Sequence, residues 1–235
     1  MAGKNQTVKA YKQTFKHLLE FENDVHYNLN FDTVDNNFYT EFVNYLKCKK
    51  HRSGEGYSMN TIGKHIKNIK AFMNAGVDAE LHSNFKFKKF PLPNEQTTAI
   101  YLTLEEQKRM LDLDLSKNKA LELARDVFII GCEIGQRISG YHNLQIHSIV
   151  SIDNEKYIKI KQQKTGNEVL CRITPAISKI INERYNAKLP PKILKQKLNN
   201  YIKGIGRLAN IDETIKLEHT QGLKKKQIIH LNTNY

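Results

Sequence analysis

Apolar residues recur every three or four positions through the first ninety residues, the period of helices with one buried face. From Thr7 to Phe21 this pattern sets Tyr11, Phe15, Leu18 and Leu19 on one predicted inner face. From Asp35 to Lys50 the corresponding residues are Phe38, Phe42, Tyr45 and Leu46. Ser58-Met59-Asn60 opens a third helix, with Ile62, Ile66, Ile69 and Met73 as its inner stripe. Lys64, Lys67 and Lys70 recur every third residue on the other side, as a basic ridge. Between the second and third helices, His51-Arg52-Ser53-Gly54-Glu55-Gly56 reads as a flexible, partly basic loop.

The pattern breaks at Phe90-Pro91-Leu92-Pro93, where two prolines impose an extended path. Residues 94–100 read as a linker between a helical domain, 1–93, and a second domain, 101–235. Thr103 and Glu106 then have the spacing of a capping box at a helix start. Leu121 to Ile134 is mostly apolar and predicts a helix buried on most sides, ended by Gly135 in the left-handed conformation. The period then changes to two. Tyr157 to Lys161 and Val169 to Ile173 alternate as strands, with Lys164-Thr165-Gly166-Asn167 as the turn between them. Pro175 starts a helix with Ile177, Ile180 and Ile181 inward, and a longer one runs from about Lys192 to Leu208. Ile215 to Leu217 and Gln227 to Ile229 pair as a hairpin around Gly222 and Lys224-Lys225-Lys226. The fold class is mainly α with a small antiparallel β-sheet.

Charge narrows the function classes. The 235 residues carry a formal net charge of +13. Residues 1–93 hold 14 basic and 9 acidic side chains, and residues 94–235 hold 23 and 15. Both halves are therefore basic, which fits a polyanion gripped by the whole chain, each neutralised phosphate releasing a counterion. A soluble protein with a basic bias is the alternative. Cys48, Cys132 and Cys171 are odd in number and far apart, so they match neither a disulfide framework nor a zinc site. No long apolar segment predicts a membrane span or a signal peptide. The expectation is a cytoplasmic protein, nucleoid-associated when bound to DNA. There is no Walker-type loop and no dinucleotide-binding glycine pattern, and no cofactor or metal is expected.

Two cations stand in positions suited to chemistry. Arg137, in Gly135-Gln136-Arg137-Ile138-Ser139, follows the buried helix, so a rigid backbone carries its guanidinium. A planar guanidinium donates two hydrogen bonds to two phosphate oxygens, and a preorganised cation stabilises the charge that spreads over them in phosphoryl transfer. Lys164, in a tight turn 27 residues later, supplies a point charge or a proton. Either residue alone is commonplace: an arginine at a helix end, a lysine on a turn. Arg52 and Lys161 join Lys64, Lys67 and Lys70 as candidate contacts to a phosphate backbone.

The ordered series is more specific than its parts. An apolar helix, Gly-x-Arg-x-Ser, a strand, Lys-Thr-Gly, a second strand and a proline-started helix together resemble the tyrosine recombinase (phage integrase) family. The resemblance is particularly to integrases of mobile elements in Bacteroides-type bacteria. Tyr57-Ser58-Met59-Asn60-Thr61-Ile62 with its lysine-rich helix resembles the helical core-binding (SAM-like) domain of that family. Ala99-Ile100-Tyr101-Leu102-Thr103 resembles the start of its catalytic domain. The resemblance implies an N-terminal core-binding domain and an incomplete α+β catalytic domain that together clamp double-stranded DNA. It implies strand cleavage through a 3′-phosphotyrosine, a homo-oligomer on DNA, and no metal or small-molecule cofactor. Arg137 would be the first catalytic arginine and Lys164 the acid that protonates the leaving oxygen.

Two departures qualify that expectation. The family needs a His-x-x-Arg box and a later nucleophilic tyrosine, yet His219 is followed three residues on by Gly222, and His230 by Thr233. Tyr235 stands where an ordinary residue is expected. Gly140 occupies a position where the family usually has an acidic residue. The expectation is therefore a truncated form that binds duplex DNA without cleaving it. Two other readings stand beside it: a non-catalytic DNA-binding relative, and a basic scaffold for RNA or a protein partner.

Overall fold

The computed structural model describes residues 2–51, 54–97, 100–162, 166–211 and 213–231. Arg52, Lys164 and Tyr235 lie outside the described residues. The chain divides into two units: Met1–Thr98 together with Lys216–Ile228, and Ala99–Ile215 together with Ile229–Tyr235.

In the first unit, α1 spans Ala2–Val25 and α2 spans Asn36–Cys48. Asp35 caps α2, its carboxylate accepting from the backbone N–H of Asn37 and Phe38. The predicted flexible loop is instead a two-residue strand pair, β1 (Lys50–His51) with β2 (Gly54–Glu55). Ser58 caps α3, Met59–Asp78, and the expected stripe of Ile62, Ile66, Ile69 and Met73 is buried. A 3-10 turn over Lys86–Lys89 buries Phe87. The core is aromatic, with Phe21, Phe38, Phe42, Phe87 and Phe90 all enclosed.

The buried face of α1 departs from expectation. Leu18 is buried as expected and Phe21 joins it, but Tyr11, Phe15 and Leu19 are exposed, Phe15 by 56%. Thr14 and His17 take the inner positions instead. They can do so because each finds partners. Thr14 Oγ1 lies 2.8 Å from His65 Nδ1 and accepts from Asn68 Nδ2 at 2.8 Å. His17 contacts Glu20 at 3.0 Å and Gln13 at 2.9 Å.

In the second unit the capping box forms as its spacing predicts: Thr103 and Glu106 satisfy each other at the start of α4, Leu104–Leu111. Helix α5, Lys119–Glu133, is the centre of the core, and Gly135 follows it with φ +61°. A four-residue helix α6, Ile138–Tyr141, begins directly after Arg137. A three-stranded antiparallel sheet follows in the order β3-β4-β5: Ser148–Ile152, Glu155–Lys161 and Glu168–Arg172. Strand β3 and its Asp153-Asn154 turn, both residues at positive φ, extend the expected hairpin into a sheet. Helix α7, Pro175–Arg184, has Thr174 as cap and proline in its first turn, and α8 spans Lys195–Leu208. The closing hairpin joins β6, Thr214–Gln221, to β7, Lys224–Leu231. The buried core residues are aliphatic, with Met110, and have no aromatic ring among them.

One ionic network is enclosed in this core. Arg125 Nε donates to Asp126 Oδ1 at 3.0 Å, and Arg125 Nη1 to the Leu113 carbonyl at 2.6 Å. Arg184 Nη1 reaches the same Asp126 oxygen at 3.2 Å, and the Tyr185 hydroxyl donates to Asp126 Oδ2 at 3.0 Å. Arg125 and Asp126 are 1% and 0% exposed. Burial, reinforced by the adjacent Asp126 carboxylate, pushes the Tyr185 hydroxyl well above its usual range, so it stays a donor.

Candidate nucleic-acid interface

Arg137 is placed by two turns of opposite demand. Gly135 takes a left-handed φ that an L side chain resists, and this ends α5 sharply. Arg137 is extended, at φ −69° and ψ 154°, and serves as the N-cap position of α6. Its carbonyl accepts from Gly140 N at 2.6 Å, and the Gly140 carbonyl accepts from His147 Nε2 at 2.8 Å. The short helix is thus pinned from both ends. The guanidinium is exposed, and among the described residues it has no hydrogen-bond or ion-pair partner. An exposed cation free of internal carboxylates is available to an external anion.

The β4–β5 hairpin base lies close to this turn. Gln162 Nε2 approaches Gln136 Oε1 at 3.5 Å, a long contact, linking the residue before Arg137 to the strand end before Lys164. Gln162 N donates to the Asn167 carbonyl at 2.8 Å, and Gly166 N to the Gln162 carbonyl at 2.9 Å, with Gly166 at φ +76°. Lys161, the last residue of β4, is exposed. Lys192 and Lys195 lie near His142 at the C-terminal end of α6, and burial first, then these two charges, lowers the His142 imidazole against its hydrogen bond to the Ile138 carbonyl. Both lysines are exposed. Their only signal in the sequence is a pair of lysines on either side of Ile193-Leu194, just after Pro190-Pro191.

At Gly140 an added Cβ would meet only the Gln136 side chain, at an ordinary 3.4 Å. Its glycine identity is therefore not demanded by close packing, since a Cβ fits the space.

In the first unit, Lys64 and Lys67 are exposed on α3. Lys70 is only half-exposed, and its ammonium donates to the carbonyls of Lys88 and Phe90 at 2.9 and 3.0 Å. Helix geometry explains the difference. Each residue advances about 100°, so a spacing of three falls about 60° short of a full turn. Lys70 therefore sits about 120° round the axis from Lys64. Among the described residues no three His, Cys, Asp or Glu side chains are grouped to hold a metal ion, and no helix is long and apolar enough to cross a membrane.

Three solved structures share this architecture. The lambda integrase tetramer bound to a Holliday junction superposes with a TM-score of 0.61 at 10% identity, over 97% of this chain and 62% of that one. A lambda integrase dimer bound to a COC′ core site gives 0.61 at 11% identity, over 88% and 76%. XerH site-specific recombinase bound to difH substrate, in a pre-cleavage complex, gives 0.60 at 13%, over 88% and 63%. The fold is that of the tyrosine recombinases. Residues 1–92 also match the phage integrase SAM-like domain family by sequence. No curated protein matches the chain by sequence. The chain spans about three-fifths of the length of the lambda integrase and XerH chains in the first and third of these recombinase structures.

Proposed function

We propose that this chain takes part in site-specific DNA recombination or integration as a tyrosine recombinase, and that residues 1–235 bind duplex DNA without cleaving it. Residues 1–93 act as the core-binding domain, 94–100 as the linker, and 101–235 as the N-terminal portion of the catalytic domain. The observation that carries this reading is Arg137: an exposed guanidinium without an internal partner, in the Gly-x-Arg motif of a chain with the recombinase fold. Lys64 and Lys67 on α3, with Lys161 and Arg52, supply sequence-independent phosphate contacts. Lys70 joins them only if it gives up its backbone carbonyls. In a complete site Arg137 would bind two oxygens of the scissile phosphate, and Lys164 would protonate the leaving oxygen.

Cleavage needs a nucleophile and a second arginine, and no His-x-x-Arg segment occurs in residues 1–235. A covalent route without its nucleophile is lost altogether rather than slowed. The narrower likeness to Bacteroides-type mobile-element integrases, a cytoplasmic and nucleoid location, and assembly of several copies on DNA belong to the same proposal.

The test is binding to duplex DNA and to structured RNA over a salt series, followed by a nicked suicide duplex. Preference for the duplex with a steep salt slope is expected, with no covalent adduct. Equal affinity for RNA, or a shallow slope, would remove the DNA reading. An adduct on denaturing gels would overturn the non-cleaving one.

A further inference from the structure

The closing hairpin offers an observation that the motif reading does not use. Residues 216–228 group with the first unit although the chain on either side groups with the second. The chain therefore crosses between units three times rather than once. The contacts that hold the hairpin tip are specific. Thr220 donates twice to Glu95, its N–H to Oε2 and its hydroxyl to Oε1, each at 2.8 Å. Glu95 is itself fixed to the first turn of α3: its N–H donates to Asn60 Oδ1 at 2.8 Å, and its carbonyl accepts from Asn60 Nδ2 at 3.0 Å.

At the turn, Gly222 N donates to the Tyr57 carbonyl at 3.1 Å, and Gln221 forms a β-bridge with Ser58. The backbones meet at two glycines. A Cβ on Gly56 would fall 2.2 Å from Gly222 Cα and 2.1 Å from the Lys47 carbonyl oxygen. Both glycines have positive φ, +76° at Gly56 and +61° at Gly222. Such a close approach between residues 166 positions apart leaves no room for a side chain at Gly56, and the positive φ at Gly222 likewise favours glycine.

The tip is also basic. Lys224 is exposed and has no partner among the described residues, and it opens the run Lys224-Lys225-Lys226. The bridge to Ser58 sets the tip at the N-terminal end of α3. Lys64 follows Ser58 by six residues, a rise of about 9 Å along the helix axis.

From these contacts we infer that the hairpin tip is a strap that completes the DNA-binding face of the first unit. Glu95 and Thr220 are its latch, and Lys224 is a phosphate contact that extends the Lys64–Lys67 ridge. The inference rests on the DNA-binding reading above and adds its own element: a distant segment sets the affinity of the N-terminal unit.

The test uses the whole chain. Thr220→Val removes one donor of the latch without changing charge, and Thr220→Ser restores it. Hydrogen exchange across residues 216–228 is expected to quicken on the order of fivefold in Thr220→Val and return in Thr220→Ser. Duplex binding over a salt series is expected to lose about one unit of slope in Lys224→Ala, with a smaller loss in Thr220→Val. Unchanged exchange in Thr220→Val would overturn the latch, and an unchanged slope in Lys224→Ala would overturn the strap as a DNA contact. The double variant Lys64→Ala/Lys67→Ala separates the two readings. If it flattens the slope while Lys224→Ala does not, only the strap fails; if neither does, the DNA reading of the first unit fails with it.

Discussion

The two units solve the problem of a polar interior in different ways. The first has an aromatic core and admits neutral polar groups: Thr14, His17 and His65. The second has an aliphatic core and admits charge: Arg125 and Asp126, joined by Arg184 and Tyr185. A buried imidazole can be turned into an ion by acid, so the first interior has a weak point that solution conditions reach. A buried ion pair is already charged and held by several partners, with only Arg125 Nη2 left unpaired among the described residues, so the second interior is vulnerable mainly to removal of a partner.

The largest expected effect lies in that ion network. Asp126→Asn leaves Arg125 and Arg184 without their shared carboxylate, Arg125 in a site shut off from water and Arg184 partly exposed. Such a change costs about 3–5 kcal/mol. Urea unfolding should show it as a lower midpoint with little change in slope. A loss under about 1 kcal/mol would mean the guanidiniums escape to solvent, and the contrast between the two interiors would vanish.

The next effect belongs to the first unit and depends on pH. Burial, then the nearby charges of His17 and Lys64, lowers His65 to about 4 from its ordinary 6.5. The unfolded chain therefore binds a proton more readily than the folded one between those values. Stability is full above about pH 6.5 and falls as pH drops toward 4, by an amount on the order of 3 kcal/mol. Thermal unfolding followed from pH 7 to pH 4 should show that slope, and His65→Gln should flatten it. A variant as acid-sensitive as the parent would move the weak point to another group.

These contrasts explain which parts of the molecule could be read from sequence. The stripe Ile62, Ile66, Ile69 and Met73, the Thr103–Glu106 box and the start of α7 at Pro175 all rest on interactions within a few residues, and they form as written. The inner face of α1 was not legible, because Thr14 is admitted to the core by His65 and Asn68, more than fifty positions away. The closing hairpin was legible as a hairpin, but its attachment to Glu95 and Tyr57 depends on pairs over 100 positions apart. The candidate site divides along the same line. Arg137 stands out by its local motif. The Gln136–Gln162 contact and the lysines beside His142 come from chain folding back on α6. The ridge of Lys64, Lys67 and Lys70 was over-read, since a spacing of three drifts around a helix and delivers Lys70 to backbone carbonyls.

The smallest expected effect is on binding, and it contrasts the cations of the two units. Lys64 and Lys67 stand exposed on a long helix and, as proposed phosphate contacts, would act on any phosphate that approaches, so their removal should cost affinity and about two units of salt slope together. Arg137 is a single group on a pinned turn, with a planar fork suited to a phosphate whose charge is spreading. Arg137→Ala should therefore remove at most about one unit of slope and weaken duplex binding less than the lysine pair does. In a recombinase supplied with the second half of the site, the same change should slow cleavage by about 10²–10³. Arg137→Lys, which keeps the charge and loses the fork, should restore binding but not that rate. If Arg137→Ala instead weakens binding as much as the lysine pair, the guanidinium is an ordinary ground-state contact, because an interaction saved for the transition state leaves equilibrium affinity nearly untouched.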